Sequence, residues 1–236
     1  MHHDQRAAGP MTKPRVSVVD DAALTRLVFQ SGFPKLEVVG AYASVDELLT
    51  ARPVADLVVL DLLLSTSLQE RGVLQGPPAI RALIRQGYRV CLYTDERRPL
   101  VLAHCLAAGA SGFARKCDDL ALTEASFVRV ARGETVITRS LVGLAEVLSR
   151  RGRLPELTGR QKEVLAARAR GEKWESIARR LDISVATATD HLDNVMMKMV
   201  LFLQHLGVDP STSPADVERA LGLTPGDLMD PDLRSN

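Results

Sequence analysis

Three aspartates, a threonine and a lysine stand at the ends of short apolar runs, where a fold could turn them toward one phosphoryl group. Asp20 and Asp21 follow Val16-Ser17-Val18-Val19, Asp61 follows Val58-Val59-Leu60, Thr94 follows Val90-Cys91-Leu92-Tyr93, and Lys116 follows Gly112-Phe113-Ala114-Arg115. Runs of this kind suit strands buried on both faces of a parallel sheet. In an open parallel sheet, reactive groups gather in the crevice beyond the carboxyl ends of the strands. The five residues would then share one edge. Carboxylates crowded together repel one another, so Asp20, Asp21 and Asp61 suit a hard divalent cation held by oxygen, most naturally Mg²⁺. Asp61 would attack a phosphoryl group as an aspartyl nucleophile. Lys116 and the metal would neutralise charge on the transferred oxygens, and Thr94 would hydrogen-bond one of them. An Asp after a strand is also a common helix N-cap, a role open to Asp21.

The elements that must position these groups are legible as alternating apolar runs and amphipathic stretches. Strands are expected at Val16–Asp20, Leu36–Ala43, Leu57–Leu62, Val90–Thr94 and Gly112–Ala114. Helices are expected after Asp21, from Ser44 with Glu47 completing a capping box, near Ala79–Gln86, near Pro99–Ala108 and after Asp118. The fold class is therefore α/β, a doubly wound five-stranded parallel sheet of flavodoxin-like type, over residues 12–133. A linker with one helix, Ile137–Arg150, fills 134–156, and Gly, Pro and charge break the pattern at Arg150–Pro155. Only helical periodicity remains in 157–207, an all-α helix-turn-helix unit. An acidic, Pro-rich extension follows at 208–236, with one helix expected between Ser213-Pro214 and Leu221-Gly222.

In the helical unit, Thr158 and Gln161 form a capping box opening a helix that Gly171 ends. A short helix follows with Trp174, Ile177, Ala178 and Leu181 on one side, then a turn at Asp182-Ile183, then a helix capped by Ser184. This order is helix-turn-helix grammar. Basic Arg160, Lys162, Lys173, Arg179, Arg180 and Lys198 would meet phosphates, while Thr187, Thr189, Asp190, His191 and Asn194 could reach base edges. Each basic residue taken singly is as readily a solvated surface charge.

Two resemblances rest on these residues. The first ~120 residues resemble the receiver domain of bacterial response regulators, through Val18-Val19-Asp20-Asp21, Val59-Leu60-Asp61-Leu62, Tyr93-Thr94 and Gly109 to Lys116. The resemblance implies that Asp61 is the phosphoacceptor, that Asp20 and Asp21 bind the metal, that Lys116 contacts the phosphoryl group, and that Thr94 and Phe113 form a switch pair. Leu157 to Leu165, with Gly171, Ile177-Ala178, Leu181, Ile183-Ser184, Thr187, His191 and Lys198, resembles the LuxR/NarL-type DNA-binding domain. The pairing is that of NarL/FixJ response regulators, in which the helix from Val185 enters the major groove. The partners implied are double-stranded DNA, a histidine kinase, and a second copy or another regulator as dimer partner. A haloacid-dehalogenase-type phosphatase also places an aspartate after a parallel strand, but its second acid two residues on is Leu63 here. The chain is therefore not expected to be an enzyme.

The chain departs from the family in three places. A longer loop runs from Leu62 to Pro78 without the usual Met-Pro turn, and in receivers this loop supplies a backbone ligand to the metal. The third helix of the helical unit carries Asp190 and Asp193 where the family has basic or neutral residues. It also runs on through Val200-Leu201-Phe202-Leu203 to Gly207, with Leu192, Val195, Met199, Phe202 and Leu206 at a spacing that fits either a core stripe or a dimer seam.

The whole chain agrees with this reading. Its 236 residues suffice for two domains, and 46% hydrophobic with 25% charged residues is an ordinary globular balance. A net charge of +1 leaves DNA affinity to local surfaces. With no long apolar stretch and no apolar core in Met1 to Lys13, a cytoplasmic chain without membrane contact is expected. His2 and His3 lack further ligands, and Met11 offers an alternative start. Cys91, Cys105 and Cys117 read as reduced packing residues.

Overall fold

The computed structural model describes residues 12–64, 73–154, 157–206 and 214–221. The expectations on His2, His3, Met11, Gly207, the Pro-rich tail and the middle of the Asp61 loop lie outside the described residues. Strands β1 (Arg15–Val19), β2 (Glu37–Tyr42), β3 (Leu57–Leu60), β4 (Val90–Tyr93) and β5 (Gly112–Ala114) form one parallel sheet in the order β2-β1-β3-β4-β5. The expected doubly wound sheet is the observed one. Four strands stop short of the expected ends at Asp20, Ala43, Leu62 and Thr94, because the chain turns away at the carboxyl edge. One backbone hydrogen bond still ties the first residue past each of β1, β3 and β4 to the neighbouring strand. The N–H groups of Asp20, Asp61 and Thr94 donate to the carbonyls of Tyr42, Val19 and Ala114.

Helices α1 (Ala23–Gly32) and α5 (Leu120–Ala131) cover one face of the sheet. There Phe29, Phe33 and Phe127 pack on Val16, Val18, Val59 and Tyr93. Helices α2 (Val45–Ala51), α3 (Gly76–Arg85) and α4 (Pro99–Ala107) cover the other, over Val19, Leu60, Leu92 and Phe113. Ser44 caps α2 by accepting the Glu47 amide, but the Glu47 carboxylate reaches back to the amide of Ala43 rather than that of Ser44. Helix α3 starts three residues earlier than expected, since prolines in its first turn need no amide partner. Gln75 just before it accepts the Leu64 amide, pinning the two ends of the long loop together.

The segment after α5 joins the sheet before becoming helical. Val136 pairs with Gly112: the Phe113 amide donates to the Val136 carbonyl, and the Val136 amide to that of Ser111. Gly112 is required at this crowded point, since a Cβ there would lie 2.5 Å from Val130 Cγ2. Helix α6 (Arg139–Arg150) therefore begins two residues later than expected, capped by Thr138. Then follow α7 (Gly159–Ala169) with the expected Thr158/Gln161 capping box, α8 (Trp174–Leu181), α9 (Val185–His205) and α10 (Pro214–Leu221). Asp182 turns the chain between α8 and α9 in the left-handed region at φ 53°, which Asp tolerates better than most residues.

The apolar stripe on α9 is a core stripe. Leu192, Val195 and Met199 are buried and Phe202 packs against the same core, while Leu206 is exposed. No dimer seam is needed to cover it. That core is continuous with the sheet: α4 packs on both α6 and α9, and one cluster runs from Leu60 and Leu92 through Leu141 and Leu148 to Leu192 and Met199. Cys91 and Cys105 are packing residues, the latter's thiol pushed up to about 12 by burial and by the nearby Glu96. Cys117, contrary to expectation, is exposed.

Candidate functional site

At the carboxyl edge of the sheet, carboxylate oxygens of Asp20, Asp21 and Asp61 lie within 4.8 Å of one another. The Lys116 ammonium bridges two of them, 2.8 Å from Asp20 Oδ2 and 2.8 Å from Asp61 Oδ2. Asp20 and Asp61 are buried, Asp21 and Lys116 half-buried. Burial pushes the Asp61 carboxyl above its ordinary value, with Asp20 adding to the rise, while Lys116 and the Leu63 amide pull against it. Burial opposes the charged ammonium of Lys116, but its two carboxylate partners outweigh that and hold it above its ordinary value. Hard oxygen donors at this spacing fit Mg²⁺. Asp21 does not cap α1, whose N-cap is Ala22; instead Asp20 Oδ1 accepts the Ala22 amide.

Two residues that sequence reasoning passed over hold this edge. Arg26 Nη1 donates to the carbonyls of Asp20 (2.7 Å) and Asp21 (2.9 Å), fixing the acidic turn. Glu96 orders the loop after β4: its carboxylate accepts from Nε and Nη2 of Arg98 and from the amides of Arg97 and Arg98. Burial works against that charge, but Arg98 wins and holds the Glu96 carboxyl below its ordinary value. The Glu96 amide in turn donates to Thr94 Oγ1. Neither residue shows a pattern that distinguishes it from a solvated charge.

Thr94 and Phe113 lie on the face that α4 covers. Phe113 pairs in register with Leu92, and alternation along the chain returns Thr94 to the same side as Leu92. Phe113 is buried, its ring already turned into the core.

In the helical unit the candidate DNA residues are not all equivalent. Ser184 caps α9, accepting the Thr187 amide, and its hydroxyl lies 2.8 Å from that of Thr187. Thr187, Asp190 and Asn194 form an exposed row, where Asn194 donates to the Asp190 carbonyl. Thr189 and His191 are half-buried, and Thr189 bonds back to Val185. Lys162, Lys173 and Arg179 are exposed; Arg160 pairs with Glu163 and Arg180 with Glu172. Lys198 is half-buried and donates to Gln161 Oε1. Asp193 is half-buried; burial pushes its carboxyl above the ordinary value and Asp190 adds to the rise, while Thr135 and Arg129 pull against it.

Residues 155–201 match the family model of bacterial regulatory proteins of the luxR family. The probable transcriptional regulatory protein SgaR of Hyphomicrobium methylovorum is 31% identical over 198 residues, which span 80% of this chain and 87% of that one. The methanol utilization control regulatory protein MoxX of Paracoccus denitrificans is 31% identical over 145 residues, 59% of this chain and 62% of that one. This chain belongs to the response regulators that join a receiver to a LuxR-type helix-turn-helix domain. The regulator is a DNA-binding transcription regulator, and its acidic pocket fits a phosphorylation site. Among solved structures, the RcsB response regulator of Salmonella typhimurium is 21% identical, with 84% of this chain and 99% of that one covered at a TM-score of 0.49. ChrA, the response regulator of a heme-sensing two-component system, is 25% identical, with 91% and 100% covered at a TM-score of 0.43. RcsB dimers are seen bound to two parallel DNAs, in a structure 19% identical that covers 83% of this chain and 98% of that one at a TM-score of 0.48. Among the described residues of the regulator, no helix is long and apolar enough to cross a membrane.

Proposed function

We propose that the regulator accepts a phosphoryl group on Asp61 and passes the change through the Thr94 loop to a dimer that reads a two-fold DNA site. The observation that carries this reading is the Lys116 ammonium placed 2.8 Å from both Asp20 and Asp61. An Asp61 carboxylate oxygen bonds to phosphorus as the bond from phosphorus to the donor's leaving group breaks, the leaving group keeping the electron pair. Lys116 stands ready to neutralise the oxygens that gain charge. Asp20, Asp21 and Asp61 would hold Mg²⁺, which when bound supplies further charge neutralisation at the same oxygens. The Thr94 hydroxyl can donate to a phosphoryl oxygen while still accepting the Glu96 amide, so movement of Thr94 toward the phosphoryl group draws the loop that starts α4 with it. The phosphoryl donor is a histidine kinase, and the chain acts in the cytosol.

At the output end, Thr187, Asp190 and Asn194 face base edges, while Lys162, Lys173, Arg179 and the ion-paired Arg160 and Arg180 meet phosphates. Ser184 and Thr187 stand at the entry of the helix into the groove, with Thr189, His191 and Lys198 on its flanks. One observation favours a second reading: Asp190 sits in the middle of the exposed row, and an acid there weakens non-specific DNA binding. On that reading the regulator works beside another DNA-binding subunit.

Mass spectrometry after treatment with acetyl phosphate and Mg²⁺ tests the first step. Wild type should gain one phosphoryl group and Asp61→Asn none; an unmodified wild type sinks the phosphoryl reading. Gel-shift titration at low salt, with and without the donor, separates the two outputs. Specific retention of a duplex by the regulator alone supports the first, and none in either condition supports the second.

A further inference from the structure

Helix α9 has three faces, and each is used differently. It packs against α7 and α8 of its own domain, and also against α4 and α6. Ala188, Leu192, Val195 and Met199 make the row that closes the three-helix core. Met196, Val200 and Leu203 make a second buried row, about a quarter-turn away at about 100° per residue. Together the rows make one broad apolar surface, covered by α4 and α6 as well as by α7 and α8. Met196 and Leu203 share a core with Leu100, Leu102 and Ala103 of α4. At the N-terminal end of that second row stands Asp193, half-buried, with Thr135 and Arg129 of the α/β unit near enough to favour its charged form. Thr135 adjoins Val136, whose backbone is paired with Ser111 and with the switch residue Phe113. The third face, Thr187, Asp190 and Asn194, lies more than about a third of a turn from both buried rows and is exposed while the receiver is docked.

We infer that the receiver remains docked on the second face of α9 while DNA occupies the third, with Thr135 and Asp193 as the positioning contact between switch strand and recognition helix. The inference rests on the DNA-binding reading. Its consequence is that the switch reaches DNA by reorienting α9 rather than by uncovering it.

A reversible staple tests this in the full chain. Thr135→Cys and Asp193→Cys are combined with Cys117→Ser, which removes the exposed thiol. A disulfide closes only between positions whose Cα atoms come within about 7 Å, so its closure reports that the two elements stay in contact. The probe is a duplex selected from a random pool by the reduced protein. The expected result is a disulfide that closes on oxidation, with reduced and oxidised forms binding the duplex within about fivefold of each other. A staple that does not form, or one that weakens binding by more than that, overturns the inference while leaving DNA binding by the reduced form intact. Failure of the reduced form to select any duplex removes the DNA-binding reading and the inference with it. Independently, Thr135→Val should speed amide hydrogen exchange at Val136 and along α9, and Thr135→Ser should restore wild-type protection. Unchanged exchange in Thr135→Val would show that the contact positions nothing.

Discussion

Asp61 is held in a place that suits a nucleophile and costs the resting protein stability. Because burial raises its folded-state pKa above the ordinary 3.8, the native state takes up a proton before the unfolded chain does. Its contribution therefore becomes more favourable as pH falls through the raised value and is complete at about the unfolded one. With a chelator present, Asp61→Asn should be more stable than wild type at pH 7, a gain that shrinks toward pH 4. Urea titration across that window measures it, and a gain independent of pH would contradict the origin given. Mg²⁺ at about ten times its Kd should restore about 1.4 kcal/mol to wild type and less to the variant, which lacks one ligand. Lys116→Ala should act the other way. It leaves Asp20 and Asp61 facing each other without a cation, costing about 1–3 kcal/mol at pH 7 and less as the carboxyls protonate. The chemistry-bearing residues were legible in the sequence because strand ends concentrate them on one edge. Arg26 and Glu96 were not, since they act through backbone carbonyls and amides that no residue pattern reports.

At the scale of elements, periodicity identified all five strands, and most of the misjudged ends are those at the carboxyl edge, with β1 and β2 each off by one residue at their starts as well. What it missed is the pairing of Val136 with Gly112. A lone pair of residues has no period, and the Ile137 that follows reads equally well as the start of a helix. Gly112 was legible as a strand residue, but its close approach to Val130 was not. Gly112→Ala should cost about 1–3 kcal/mol, because the new Cβ must displace a packed side chain from the strand that carries Phe113. The stripe on α9 left core and seam undecided, because both require the same spacing. Burial decides it, and Leu192→Ala should cost about 2–5 kcal/mol of stability. Sedimentation of the folded fraction should show the same association state as wild type. A variant that stayed stable but dissociated would restore the seam.

Across the whole molecule, the break at Arg150–Pro155 interrupts the sequence pattern but not the packing. Leu154 within it and Leu157 just after it are both buried in the core that also holds Leu92 and Leu192. Composition marks where a chain changes style, whereas the packing of α4 on α9 draws on apolar residues whose character reads the same whether they face their own domain or the other. Helix α6 joins the two halves, with Leu141, Leu144 and Leu148 buried and with α4, α7 and α9 around it. Domains that share a core lose it together, so the regulator should unfold in one transition, with calorimetric and van't Hoff enthalpies equal. Leu148→Ala removes packing from the shared element and should cost about 2–5 kcal/mol. Because that loss falls on the coupling between halves as well as on each half, the single transition should split, the helix-turn-helix domain melting first and the sheet later. Two separate transitions in wild type would mean that the junction contributes little to stability, and that α6 is a tether rather than part of a common core.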